Sequence, residues 1–160
     1  MRESDETEGN DPGVEVFHLL RAVTVEYGRR QMEFAERNGM HPTDLRTLIC
    51  LLDAERAGVR ATPGWVGART GLNSAGTTSA IDRLERLGHV TRERDPEDRR
   101  RVLLRVSPQA MRLGRTAFGP LIDEATRILR EEFSAEEVAT VRRYLERMRH
   151  TMTAPDHLVD

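Results

Sequence analysis

The 160-residue chain has no lysine, one cysteine, one tryptophan and no apolar run longer than the five residues Leu48 to Leu52. One cysteine excludes an internal disulfide framework. A five-residue run is far short of the ~20 needed to cross a bilayer. The opening residues are acidic and lack the apolar core of a signal peptide, so the expected location is cytoplasmic, with no membrane partner. The five histidines, at 18, 41, 89, 150 and 157, are scattered without metal-ligand spacing beside a thiol or carboxylate cluster; no metal and no cofactor are expected. There is no nucleophile–base pair and no phosphate loop. The paired acids Asp123-Glu124, Glu131-Glu132 and Glu136-Glu137 are adjacent on helices, where their side chains diverge. An enzyme is therefore not expected.

Without lysine, all 25 basic residues are arginine, so every cation is a planar, multi-donor head suited to phosphates and base edges. The net charge of −2 conceals a gradient. Residues 1–15 carry one Arg against six acids, and residues 56–105 carry eleven Arg against six acids. A basic middle is the footprint of a phosphate-binding face. The length fits one domain.

Residues 1–12 read as a disordered acidic tail. From Val14 a helical stripe of Val16, Leu20, Val23, Tyr27 and Phe34 runs to about Arg37 and stops at Asn38-Gly39. Its length exceeds what one small core needs, so part of it is expected to pack on a partner chain. A second helix starts at His41-Pro42 with Leu45, Leu48, Ile49 and Leu52 buried, and ends at Gly58. Residues 59–61 suit a minimal strand. Thr62-Pro63 caps a short third helix ending near Gly71, and Asn73 caps a fourth that buries Thr77, Ala80, Ile81, Leu84 and Leu87. Two helices across a three-residue break have helix-turn-helix spacing. After Gly88 the period changes to 2, with Val90 and Arg92, then Val102, Leu104 and Val106, on one face around the turn Asp95-Pro96-Glu97-Asp98: a hairpin. Ser107-Pro108 opens a fifth helix, weakened by Gly114, Gly119 and Pro120, and Ser134 to Glu137 form a capping box for a sixth. Residues 154–160 read as a flexible tail.

The segment 72–107, LNSAGTTSAIDRLERLGHVTRERDPEDRRRVLLRVS, with its D-R-L-E-x-x-G-x-V-x-R core followed by D-P-x-D-R-R and a strand, resembles the MarR family of winged helix-turn-helix transcriptional regulators. The resemblance covers roughly Phe17 to Met148. It implies a mainly α fold with a small β-hairpin wing: one domain over 13–153, with a helical dimerisation region (13–40 and 108–153) and a winged helix-turn-helix (41–107). It implies a homodimer on double-stranded DNA at a pseudopalindromic operator, most often a repressor released by a small aromatic or lipophilic effector.

Burial of the apolar face of the fourth helix turns Ser74, Ala75, Thr78, Ser79, Asp82 and Arg83 outward, the first of these where such a helix reaches base edges. Arg83, further along, suits phosphate. In the wing, the resemblance implies that Arg100 enters the minor groove, Asp98 braces it, and Arg99 and Arg101 flank it near phosphates. Two departures stand out. Ser79 replaces the long basic side chain common there, and Gly76 lowers helix propensity by about 1 kcal/mol. Gly76 is either a tolerated residue near a helix start or one that lets the backbone approach DNA closely. These departures keep open a rival reading, a winged-helix protein-interaction module with weak or no DNA binding. Trp65, Phe34 and Met40, with Met32 beside them, are candidates for the wall of an effector pocket, with core packing as the plain alternative. Cys50 reads as a small packed residue.

Overall fold

The computed structural model of the protein describes residues 11–153. The expected tails over 1–10 and 154–160 lie outside the described residues. Asp11 and Pro12, read as the end of a tail, instead begin the first helix: the Asp11 carboxylate accepts the Gly13 N–H at 2.7 Å as N-cap, and Pro12 stands in the first turn.

Among the described residues there are six helices and one two-stranded sheet, in the order α1 (Pro12–Arg37), α2 (Pro42–Arg56), α3 (Pro63–Thr70), α4 (Ser74–Arg86), β1 (Val90–Arg94), β2 (Val102–Val106), α5 (Pro108–Glu132) and α6 (Ala135–Thr153). The mainly α fold with a hairpin wing is observed. The chain divides into two compact units that meet between Leu113 and Gly114, inside α5. Ala110, in the first turn of α5, is buried in the core of the first unit.

That core gathers Ala35 from α1, Leu45, Leu48, Leu51 and Ala54 from α2, Val66 from α3, Ile81 and Leu84 from α4, and Val90, Leu104 and Val106 from the hairpin. The face of α2 is rotated from expectation: Leu51, Thr47 and Ala54 are inside, whereas Ile49 and Leu52 are only half-buried. On α4 the expected set holds for Thr77, Ala80, Ile81 and Leu84, with Leu87 half-buried.

β1 and β2 pair antiparallel, from Val90 opposite Val106 to Arg94 opposite Val102. The alternation expected in β2 fails: Leu103 and Leu104 are both buried and Val102 is exposed. The strand also touches α2 and α3, and the adjacent Leu103 and Leu104, which point to opposite faces, are both buried. Residues 59–61 form no regular strand, but the Ala61 carbonyl accepts the Leu104 N–H at 2.9 Å. In the second unit, α5 runs unbroken through Pro120, and the Ser134–Glu137 capping box is made in both directions, at 3.3 and 2.8 Å. No described residue from 114 onward is buried.

Candidate nucleic-acid interface

The helix-turn-helix is α3, the break Gly71-Leu72-Asn73, and α4. Thr62 caps α3 by accepting the Trp65 N–H at 3.2 Å. Gly71 ends it with φ +70°, a conformation that would strain any side chain. Asn73 starts α4 by accepting the Gly76 N–H at 2.8 Å. The two helices approach closely at Gly67, where a Cβ would stand 2.9 Å from Thr77 Oγ1 and 3.3 Å from the Leu72 carbonyl oxygen.

The N-terminal half of α4 presents Ser74, Ala75, Thr78 and Ser79, all exposed, with Gly76 half-buried. A Cβ at Gly76 would stand 3.2 Å from the Asn73 carboxamide oxygen. The glycine therefore fits the cap tightly, a local reason for it that the sequence did not show.

Arg83 does not follow expectation. Its guanidinium closes on Asp44 at the start of α2, with Nε 3.0 Å from both carboxylate oxygens and Nη2 2.6 Å from Oδ1. Asp44 is 1% exposed and also accepts the His41 N–H at 3.1 Å, completing the α2 cap. A buried carboxylate needs such partners, so Arg83, 36% exposed, is a strut between α2 and α4. The acids of α4 are also answered: Arg92 of β1 donates to Asp82 at 2.5 Å and to Glu85. One cation thus offsets part of the negative charge that α4 would turn toward a polyanion.

The wing tip is built from two side-chain turns. Asp95 Oδ1 accepts the Glu97 N–H at 2.9 Å, and Asp98 Oδ1 accepts the Arg100 N–H at 3.1 Å. The Asp95 N–H to Arg101 carbonyl bond, 3.0 Å, closes the loop. Asp98 thus braces the backbone of Arg100. The Arg99 and Arg100 side chains are exposed at the tip. Arg101 is turned toward the base of the wing, with Nη1 3.8 Å from Asp95 Oδ2. Asp95, which the sequence places only in the turn, is 1% exposed. The Glu97 N–H, then the Arg60 cation, hold its carboxyl below the ordinary value against the opposing effect of burial. Arg60, not anticipated at all, lies 3.4 Å from Asp95 and 2.5 Å from Glu97.

A groove of about 520 Å³ lies between α1 and α2, walled by Gly28, Gln31, Met32, Leu45, Arg46 and Ile49 among others. Trp65, Phe34 and Met40 are not in its wall; Met40 is buried, and Trp65 and Phe34 pack against the core. Burial pushes the Cys50 thiol above its ordinary value, away from reactive thiolate.

Comparison with known proteins gives a consistent result. A model of the MarR family matches residues 38–101, the helix-turn-helix and most of the wing. The chain is 34% identical over 128 residues to the "Uncharacterized HTH-type transcriptional regulator YcgE" of Bacillus subtilis (strain 168), covering 80% of this chain and 78% of that one. Its fold is similar to that of a MarR family protein from Bacillus stearothermophilus, with 26% identity, 88% and 94% coverage of the two chains and a TM-score of 0.62. It is also similar in fold to the S. aureus protein in the MepR–DNA complex, with 20% identity, 85% and 98% coverage and a TM-score of 0.55.

Proposed function

Because the chain belongs to the MarR family, and so is a transcriptional regulator and not an enzyme, we propose that it is a ligand-responsive repressor that binds a pseudopalindromic operator as a homodimer. The observation that carries this reading is the pairing of an exposed α4 N-terminus with an arginine tip. Ser74, Thr78 and Ser79 offer hydroxyls and a methyl to base edges in the major groove. Arg100, on a backbone fixed by Asp98, enters the adjacent minor groove, whose narrow stretches attract arginine. Arg99 lies near phosphate. The solved MepR–DNA complex supports DNA as the partner.

Dimerisation is supported by surface that a single chain leaves open. α1 exposes Val16, Leu19, Val23 and Val25, α5 exposes Ile122, and α6 exposes Val141, Leu145 and Met152. α1 buries only Ala35, α5 only Ala110 and α6 nothing, and helices with so little buried depend on packing from elsewhere for stability. A twin chain supplies it and sets two recognition helices about 34 Å apart, one turn of DNA. The effector, a small aromatic or lipophilic molecule, shifts the population toward a spacing that no longer fits two successive grooves; the groove between α1 and α2 supports it by offering apolar walls beside Arg46.

The rival reading, an interaction module without DNA binding, draws on the absence of a basic residue at 79. The pairing of Asp82 and Glu85 with Arg92, which offsets part of their charge, counts against it. Salt titration of binding to a mixed-sequence duplex tests the choice. The proposal expects log K to fall with log salt by about 0.9 per phosphate neutralised; a flat line rejects it.

A further inference from the structure

Along residues 91–102 every side chain is exposed except one, and that one is the carboxylate Asp95. A two-stranded hairpin is marginal by itself, so what holds the wing to the body decides where its tip points. Near its root the hairpin is held by core burial of Val90, Leu104 and Val106 and by two bonds, Leu104 N–H to the Ala61 carbonyl and Val106 N–H to Glu55 Oε1, both 2.9 Å. Beyond the last strand pair, Arg94 opposite Val102, the tie is ionic. Arg60 reaches across from the loop between α2 and α3 to Asp95 Oδ1 at 3.4 Å and Glu97 Oε1 at 2.5 Å. Asp95 in turn fixes Glu97 through its N–H, and Asp98, one residue on, fixes Arg100.

We infer that Arg60 is a positioning residue for the wing: through Asp95 and Glu97 it anchors the turn that carries Arg100, and so sets where Arg100 enters the minor groove. The inference rests on the proposed minor-groove role of Arg100. Arg60 touches no base in this scheme. Its guanidinium faces two carboxylates, Asp95 and Glu97, while Arg99 and Arg100 lie exposed at the tip.

The test uses the full chain and a duplex selected by it from random-sequence DNA, with three variants: Arg60→Gln, Arg100→Ala and the two combined. Arg60 is substantially exposed, and circular dichroism melts verify that each variant is folded. Arg60→Gln is expected to weaken binding about tenfold, the scale of one lost specific contact. It is expected to erase hydroxyl-radical protection at the minor-groove flanks while methylation protection in the major groove persists. In the Arg100→Ala background the same substitution is expected to cost nothing further, since coupled residues are not additive. Wild-type affinity and flank protection in Arg60→Gln, with both lost in Arg100→Ala, overturns the positioning role and leaves the wing reading intact. An undiminished loss in the Arg100→Ala background overturns it too, showing that Arg60 meets DNA directly. If Arg100→Ala itself keeps affinity and flank protection, the minor-groove reading fails and this inference with it.

Discussion

Arg83 of the recognition helix and Asp44 of α2, 39 positions apart, form a two-pronged ion pair with contacts of 3.0, 3.0 and 2.6 Å around a carboxylate that is 1% exposed. Breaking a fully buried pair costs about 3–5 kcal/mol. The Arg83 side chain is 36% exposed, so the expected loss for Arg83→Ala is smaller, about 2–3 kcal/mol by urea denaturation. Because the cation faces Asp44, Arg83→Ala should leave the salt dependence of DNA binding unchanged. A phosphate contact would flatten the slope by about one.

Gly67 allows α3 and α4 to touch. Gly67→Ala places a Cβ 2.9 Å from Thr77 Oγ1, and overpacking of this kind costs about 1–3 kcal/mol. Adding Thr77→Ala should recover only part of the loss, because the Leu72 carbonyl oxygen at 3.3 Å remains. Thermal melts of the single and double variants measure both.

Ser79 is an exposed, uncharged residue in the N-terminal half of α4. Ser79→Arg is expected to steepen log K against log salt by about one unit and to raise affinity for non-specific DNA. Electrophoretic mobility shifts across a salt series on unrelated duplexes measure the change.

His89, between α4 and β1, is 4% exposed, and its Nδ1 has no hydrogen-bond partner. Burial lowers its pKa. The unfolded chain therefore takes up the proton first as pH falls. Stability tied to His89 is complete above the unfolded value of about 6.5 and is lost as pH falls toward the lower folded value. The melting temperature should drop between about pH 7 and pH 5, and His89→Leu should flatten that drop.

Local signals were legible. Asn38-Gly39, Gly58, Gly71 and Gly88 mark helix ends, and Thr62, Asn73 and Ser134 are caps, because each acts within a few residues of itself. The turn at Asp95-Pro96 was legible for the same reason. What stayed hidden spans long sequence distance: Arg83 with Asp44, and Arg60 with Asp95, 35 positions apart. Charge patterning says that Arg83 is a cation on an outer face; it does not say which carboxylate waits opposite. The β2 alternation misled because it assumes one covered face, whereas Leu103 and Leu104 are both covered. The apolar stripe of α1 is largely exposed at Val16, Val23 and Tyr27 while Phe34 packs on the core; periodicity reports that a face needs cover without naming what covers it.

Selection from random-sequence DNA tests the central claim most directly. The wild-type chain is expected to enrich an inverted repeat whose half-sites lie about one helical turn apart, centre to centre. Failure to enrich any sequence over the starting pool, at salt low enough to retain DNA, would contradict it.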